Sequence, residues 1–356
     1  MPDRLIFGLV PWYSVLILCG MLSALYLAQK EEKRYGLPPD TVIDLCLWMI
    51  PIGILGARCY YVVFNWAAFA QAPMQILMIW QGGLAIYGAL IAGGVTLLIF
   101  ARLRRLKVAT LLDTVAIGLP LAQTIGRWGN FFNGEAYGLE VLNPSLQFFP
   151  FAVRIAQADG LHWQLATFFY ESLWNCAIFL VLWRTRRRMK RPGDVFAWYV
   201  LLYASGRAWI EGLRLDSLMT AGHALRISQV LSCVMMLAVL VYFLITRAKD
   251  KAKLRWLFAG WLIVAAVVYA LLPNLPVLLR LLCALQFAVL AVASALHFPN
   301  PAKLMPALLL AALMPLLTVT VQVDQPDSLV WLMLWQSACG MTAAWLLDGR
   351  KEETDA

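Results

Sequence analysis

The stretch GRWGNFFNGEAYG, residues 126–138, places an arginine, two asparagines and a glutamate at the end of an apolar segment long enough to cross a membrane. A charged side chain at the membrane centre costs about 2.5–3.5 kcal/mol on insertion scales. Proteins tolerate such a charge mainly where it faces a protein interior or a polar cavity and meets a partner there. We therefore interpret this stretch as part of a site, and its residue types indicate a site that binds anions.

The composition of the whole chain is that of a polytopic membrane protein. Of its 356 residues, 62% are hydrophobic and only 14% are charged, whereas a soluble protein of this length needs far more polar surface. The net charge of +9 does not indicate a nucleic-acid partner, because most basic residues lie in short runs between apolar segments.

Apolar runs long enough to span a membrane recur along the whole chain. Seven fall near residues 9–28, 42–64, 82–101, 110–131, 164–183, 195–213 and 227–246, and four more near 256–273, 277–296, 305–323 and 329–347. We predict an all-α, polytopic integral membrane protein with a seven-helix core over residues 1–250. Residues 251–356 then form a four-helix hydrophobic extension of unknown role, and residues 134–163 form the longest external connection.

Loops rich in lysine and arginine alternate with loops that carry few charges. The basic runs follow predicted helices 1, 3, 5 and 7. The positive-inside rule assigns that side of the membrane to the cytoplasm. We therefore expect the N-terminus outside and the C-terminus in the cytoplasm.

A few arginines lie inside predicted helices, where the orientation bias does not account for them. Predicted helix 6 carries four polar side chains on one face: Tyr203, Arg207, Glu211 and Arg214. One interpretation is a structural Arg207–Glu211 pair. The other is a cationic pocket to which Arg127 adds a second guanidinium. Two arginines suit a phosphodiester, because each offers a planar fork of donors and stays charged.

Other side chains are candidates for the same site. Asn130 and Asn133 add hydrogen-bonding capacity without charge, and Glu135 is expected to hold an arginine or a loop. Arg58 of predicted helix 2 has polar residues nearby. Glu171, beside Tyr170, is interpreted either as a packing carboxylate or as a functional acid.

Two aromatic residues are ambiguous in the same way. Tyr13 follows Trp12 at the external start of predicted helix 1, where an aromatic pair is typical of the membrane interface as well as of a site. Tyr87 lies among small residues of predicted helix 3 that permit close helix packing, so it is equally an interface anchor.

The cysteines and histidines do not have the spacing of a metal site or a disulfide framework. Seven cysteines are scattered through apolar segments without a Cys-x-x-Cys pair, and the three histidines are far apart in the sequence. We predict no metal and no cofactor.

An ordered set of motifs resembles the prolipoprotein diacylglyceryl transferase family, in its Gram-positive-like branch. The resemblance covers about residues 9–246. Beside residues 126–138 it rests on Trp12-Tyr13, Gly56-Ala57-Arg58, Gly82-Gly83, Tyr87-Gly88, Asp113, Tyr170-Glu171, the helix 6 face and Ile227-Ser228-Gln229. It implies a transferase of the bacterial plasma membrane. Such an enzyme moves the diacylglyceryl group of phosphatidylglycerol to the lipobox cysteine thiol of a preprolipoprotein, forming a thioether and releasing glycerol phosphate.

The resemblance and the embedded charges together nominate site residues. We expect Arg127, Arg207 and Tyr87 to be catalytic. We expect substrate binding by Tyr13, Arg58, Asn130, Asn133, Glu135, Gly138, Tyr203, Glu211 and Arg214. Many relatives carry a histidine, the proposed base, where Tyr87 stands. A tyrosine with an ordinary pKa of about 10 is a poor base, so the proton acceptor stays open.

Two other functional classes use the same arginines. A transporter or flippase of an anionic lipid binds without chemistry, and a catalytically inactive paralogue acts in membrane assembly. Transporters commonly contain internal repeats or paired broken helices, and the sequence shows neither. The expected partners are phosphatidylglycerol and a lipobox segment within the membrane, not nucleic acid, and the oligomeric state stays open.

Overall fold

The computed structural model describes residues 4–157, 160–189 and 191–215, together with a few positions between 227 and 242. Most of the predicted seventh helix and all of the 251–356 extension lie outside these residues. The predicted number of helices and the division at residue 250 therefore stay predictions.

The described part of the chain is mainly helical. Its helices are α1 (Trp12–Arg34), α2 (Thr41–Phe64), α3 (Trp66–Gln71), α4 (Ile86–Leu103), α5 (Val108–Ala116), α6 (Gly118–Asn133), α7 (Thr167–Thr185) and α8 (Asp194–Gly212). By length and composition α1, α2 and α4 are able to cross a membrane, and α5 with α6 adds a fourth span if the bent pair counts as one. The predicted class, a helical membrane protein, is confirmed.

The helix predicted over residues 110–131 is broken in two, which corrects the sequence analysis. Helix α5 ends at Ala116, α6 begins at Gly118, and the two are bent by 41°. Pro120 explains the break, because it has no N–H to donate and its ring crowds the carbonyl four residues earlier, that of Ala116.

Two antiparallel hairpins add short strands to the predicted all-α chain. The first pairs β1 (Leu5–Ile6) with β2 (Val10–Pro11). The second pairs β3 (Ala152–Gln157) with β4 (Gly160–Leu165), inside the predicted external connection. Residues 138–141 run along the other side of β4, where Val141 N donates to Trp163 O at 2.7 Å. Part of this connection is therefore sheet, which the sequence analysis did not predict.

The described residues form two compact units, considered separately below. Unit 1 holds the described residues up to Gly20, those of 120–189, and those from Ala197 onward; unit 2 holds residues 21–119 and 191–196. The buried apolar core of unit 2 includes Leu45, Phe100 and Leu111. Unit 1 instead packs aromatic rings between α6 and α7; for example, Trp128 meets Phe168 edge to face at 5.8 Å between centroids.

Candidate active site

A buried carboxylate lies at the centre of the polar residues of unit 1. Glu171 of α7 is 4% exposed. Arg207 of α8 donates from Nη1 to its Oε1, and Nε of Arg127 on α6 lies 2.5 Å from its Oε2. Three helices therefore bring two guanidiniums onto one carboxylate, and the predicted convergence of Arg127 and Arg207 is what the structure shows.

Two further charged residues of α8 and its end extend this cluster. Nη2 of Arg207 lies 2.7 Å from Oε2 of Glu211, one turn later on the same helix. Arg214 interacts electrostatically with Glu171. Three guanidiniums and two carboxylates leave one positive charge, which matches the single negative charge of a phosphodiester.

The two central arginines are partly open rather than sealed. The side chains of Arg127 and Arg207 are 21% and 17% exposed, whereas that of Glu171 is 5% exposed. Among the described residues, Arg127 donates no hydrogen bond, so its Nη groups are available to a ligand. The arrangement can therefore bind an anion at a fixed place.

Specific contacts hold the three helices at this spacing. Ser172 Oγ donates to the carbonyl of Thr124 at 2.9 Å, which ties α7 to α6. Trp174 Nε1 donates to the carbonyl of Leu202 at 2.9 Å, which ties α7 to α8. A Cβ on Gly206 would lie 2.0 Å from Trp174 Nε1, so α8 approaches this indole only because a glycine precedes Arg207.

Several predicted binding residues of unit 1 lie along α6 and the loop after it. The ring of Tyr13 packs on Gly129, where an added Cβ would be 2.7 Å from Tyr13 Cδ2. The main-chain carbonyl of Asn130 accepts the main-chain N–H of Glu135 at 2.9 Å, and Asn133 Nδ2 donates to Glu135 Oε1 at 3.4 Å. Of the two predicted roles of Glu135, these contacts fit the one in which it holds the loop.

The remaining predicted residues of unit 1 join α8 to the sheet. Gly138 N donates to Leu165 O at 2.9 Å, and the main chain of Gly138 pairs with that of Arg214. Tyr203, one helical turn before Arg207, stacks on Tyr199 at 5.8 Å between centroids. The residues that follow α8 are therefore anchored directly to the last residue of the 126–138 stretch.

Tyr87 belongs to unit 2, so its predicted role stays a prediction. The residue is half-buried near the start of α4, and its ring lies 6.3 Å from that of Tyr60.

Arg58 has a different role from the one predicted for it. It is 7% exposed, and all five of its N–H donors point to main-chain carbonyls of the segment between α3 and α4. The acceptors are the carbonyls of Gln75, Ile76, Met78, Gly82 and Gly83. No donor is left for a substrate, so Arg58 fixes this segment and its predicted substrate contact is not supported.

Glu171 is the site residue that sequence reasoning left out of the predicted set. The Tyr170-Glu171 pair is visible in the sequence, but it is compatible with a packing carboxylate as well as with a functional acid. Charge accounting offers the missing signal. Glu211 lies at i+4 from Arg207 and serves that residue, so Arg127 needed an acid from another helix.

Comparison with known proteins gives a consistent picture. The family model described as prolipoprotein diacylglyceryl transferase matches residues 5–245. A phosphatidylglycerol–prolipoprotein diacylglyceryl transferase from Limosilactobacillus reuteri is 43% identical over 255 residues, which cover 70% of this chain and 91% of that protein. Proteins of the same name from Streptococcus agalactiae and Geobacillus kaustophilus are each 43% identical. They align over 68% and 71% of this chain and over 93% and 96% of their own lengths.

Proposed function

Because this chain belongs to the prolipoprotein diacylglyceryl transferase family, we propose that it moves the diacylglyceryl group of phosphatidylglycerol to the lipobox cysteine of a prolipoprotein. It is a bacterial membrane protein and a transferase. The observation that carries the proposal is the pair of partly exposed guanidiniums of Arg127 and Arg207, which converge on one buried carboxylate.

The chemistry needs an anion site more than it needs a nucleophile from the enzyme. The substrate thiol loses its proton, which ends in the solvent. Its sulfur bonds to the diacylglyceryl carbon that carries the phosphate, and the bond between that carbon and the phosphate oxygen breaks. The electrons of that bond leave with glycerol phosphate, whose negative charge grows as the bond opens. Arginines fixed beside this phosphate stabilise the transition state more than they stabilise the bound lipid before reaction.

We assign roles to individual residues within this scheme. Arg127 and Arg207 bind the phosphate, and the catalytic role expected for Tyr87 rests on the family resemblance alone. The pocket around them is shaped by Tyr13, Asn130, Asn133, Glu135, Gly138, Tyr203, Glu211 and Arg214. Enzyme cysteines are not required, because the reacting thiol belongs to the prolipoprotein.

The orientation inferred from the charged loops completes the proposal. With the N-terminus outside the plasma membrane and the C-terminus in the cytoplasm, the 126–138 stretch lies at the external end of its span. The phosphate site then faces the outer leaflet. Residues 1–250 form the catalytic core, and residues 251–356 form an extension of unknown role.

A two-product assay on the purified full chain tests this function. The protein receives phosphatidylglycerol and a lipobox peptide in mixed micelles, and both the thioether peptide and the released glycerol phosphate are quantified. We expect equimolar products. A peptide whose lipobox cysteine is replaced by serine should yield no product. Lipid movement between leaflets without either product would instead favour a flippase.

Arg58 provides a test of how positioning and binding residues differ. Replacing Arg58 by lysine removes two of five buried donors, which should lower stability by about 1–3 kcal/mol because two carbonyls lose their partners. The melting temperature should fall, while KM for phosphatidylglycerol should stay unchanged. Arg154→Lys is the matched control, because Arg154 is an exposed residue of the hairpin, with its guanidinium on the Trp163 ring. A raised KM with an unchanged melting temperature would return Arg58 to the substrate site.

A further inference from the structure

The carboxylate of Glu171 occupies the place that the substrate phosphate needs. One of its oxygens is bound by Nη1 of Arg207, and the other lies 2.5 Å from Nε of Arg127. A phosphate held between two arginines has the same arrangement, with two oxygens on one central atom and each oxygen against a different guanidinium.

The donors of Arg207 leave little room for a phosphate beside this carboxylate. Nη1 is directed to Glu171, and Nη2 lies 2.7 Å from Oε2 of Glu211. Each Nη nitrogen of Arg207 therefore contacts one glutamate. A phosphate that takes the bridging position between Arg207 and Arg127 has to replace Glu171, because among the described residues Glu171 alone contacts both arginines.

The two oxygens of Glu171 are held differently. Oε1 accepts a hydrogen bond from Arg207. Oε2 is buried and close to Arg127, but within the described part of the chain it accepts no aligned hydrogen bond. Such a contact is weaker than an aligned, charge-assisted hydrogen bond. Arg127 is also the more exposed of the two arginines, at 21% against 17%, so an incoming anion meets its guanidinium first.

We propose that Glu171 is a positioning residue that holds Arg127 and Arg207 together before lipid binds and is then displaced by the lipid phosphate. This inference rests on the proposed function, since the displacing group is the phosphate of phosphatidylglycerol. Glu171 keeps the two guanidiniums at the spacing that a bound phosphate needs. It also competes with the phosphate for them. Phosphate affinity is thereby reduced, and glycerol phosphate is released more readily after transfer.

The test compares the wild type with Glu171→Gln, which keeps the size of the side chain and removes its charge. Glycerol phosphate binding to the purified full chain is measured by calorimetry, which does not depend on turnover. We expect the Kd to fall by about tenfold, because one competing charged contact is lost. In the two-product assay kcat should fall at the same time, because the arginines are no longer held before the lipid arrives.

Glu140→Gln is the matched control for the loss of one carboxylate. Glu140 lies in unit 1 but pairs with His162 of the hairpin at 2.7 Å and is exposed. Its Kd and kcat should equal those of the wild type. If Glu171→Gln does not fold, Glu171→Asp decides, because its shorter carboxylate reaches the two arginines less well and should also tighten glycerol phosphate binding.

The results separate this inference from the proposed function. An unchanged or raised Kd in the folded Glu171→Gln variant overturns the displacement, since Glu171 would then only support the arginines. A wild-type protein that forms no thioether contradicts the proposed function instead, whatever the binding experiment gives.

Discussion

Replacing Arg207 by lysine should lower kcat for thioether formation by about 10²–10³-fold, the usual cost of removing one donor that stabilises developing charge. Arg207 contacts Glu171 and Glu211 through separate nitrogens of one planar group. A lysine keeps the charge but offers a single nitrogen on a flexible stem, so it cannot hold Glu211 and a phosphate in register.

Arg207→Lys should change kcat and KM by different amounts. Charge accumulates on the phosphate only as the carbon–oxygen bond breaks, so the loss should appear mainly in kcat while KM for phosphatidylglycerol changes little. Both constants are measured in the two-product assay, with Arg154→Lys as a control for the same substitution at an exposed position of the hairpin. A variant with wild-type kcat would show that Arg207 serves the bundle and not the reaction.

The convergence of Arg127 and Arg207 was open to prediction because intramembrane charge is costly. Both arginines lie in otherwise apolar segments, and the Arg207–Glu211 spacing places that pair on one face of a helix. The pairing of Arg127 with Glu171 could not be predicted in this way, because it depends on how α6 and α7 are packed. Local spacing carries no information about a contact between side chains 44 residues apart in the sequence.

Arg58 shows the opposite case, in which a correct signal led to a wrong role. Its position in an apolar helix correctly indicated that its guanidinium needs partners. Those partners are main-chain carbonyls 17–25 residues later, and every residue type presents a carbonyl, so no side-chain pattern marks them. The β3–β4 hairpin did carry a signal, since Asp159-Gly160 between two short apolar runs is typical of a tight turn.

Replacing Gly138 by alanine should reduce turnover by at least about tenfold and destabilise the protein by about 1–3 kcal/mol, as overpacking of a close contact does. An added Cβ would lie 2.6 Å from the carbonyl oxygen of Leu213, 2.7 Å from Thr167 Cγ2 and 2.8 Å from Leu165 Cβ. The first of these atoms is main chain and cannot rotate away. The methyl group should therefore push residues 213–214 off the sheet and move the end of the helix that carries Arg207 and Glu211.

Gly126→Ala tests whether this effect is specific to position 138, because both glycines belong to the same stretch. Among the described residues, a Cβ on Gly126 would meet only Ile17 Cδ1, at 3.3 Å, and the tip of an isoleucine side chain can give way. Turnover and melting temperature should therefore stay near wild type in Gly126→Ala and fall together in Gly138→Ala. Equal activity in the two variants would mean that the pairing of Gly138 with Arg214 does not hold the arginines in place. The three helices α6, α7 and α8 would then position the site by their own contacts.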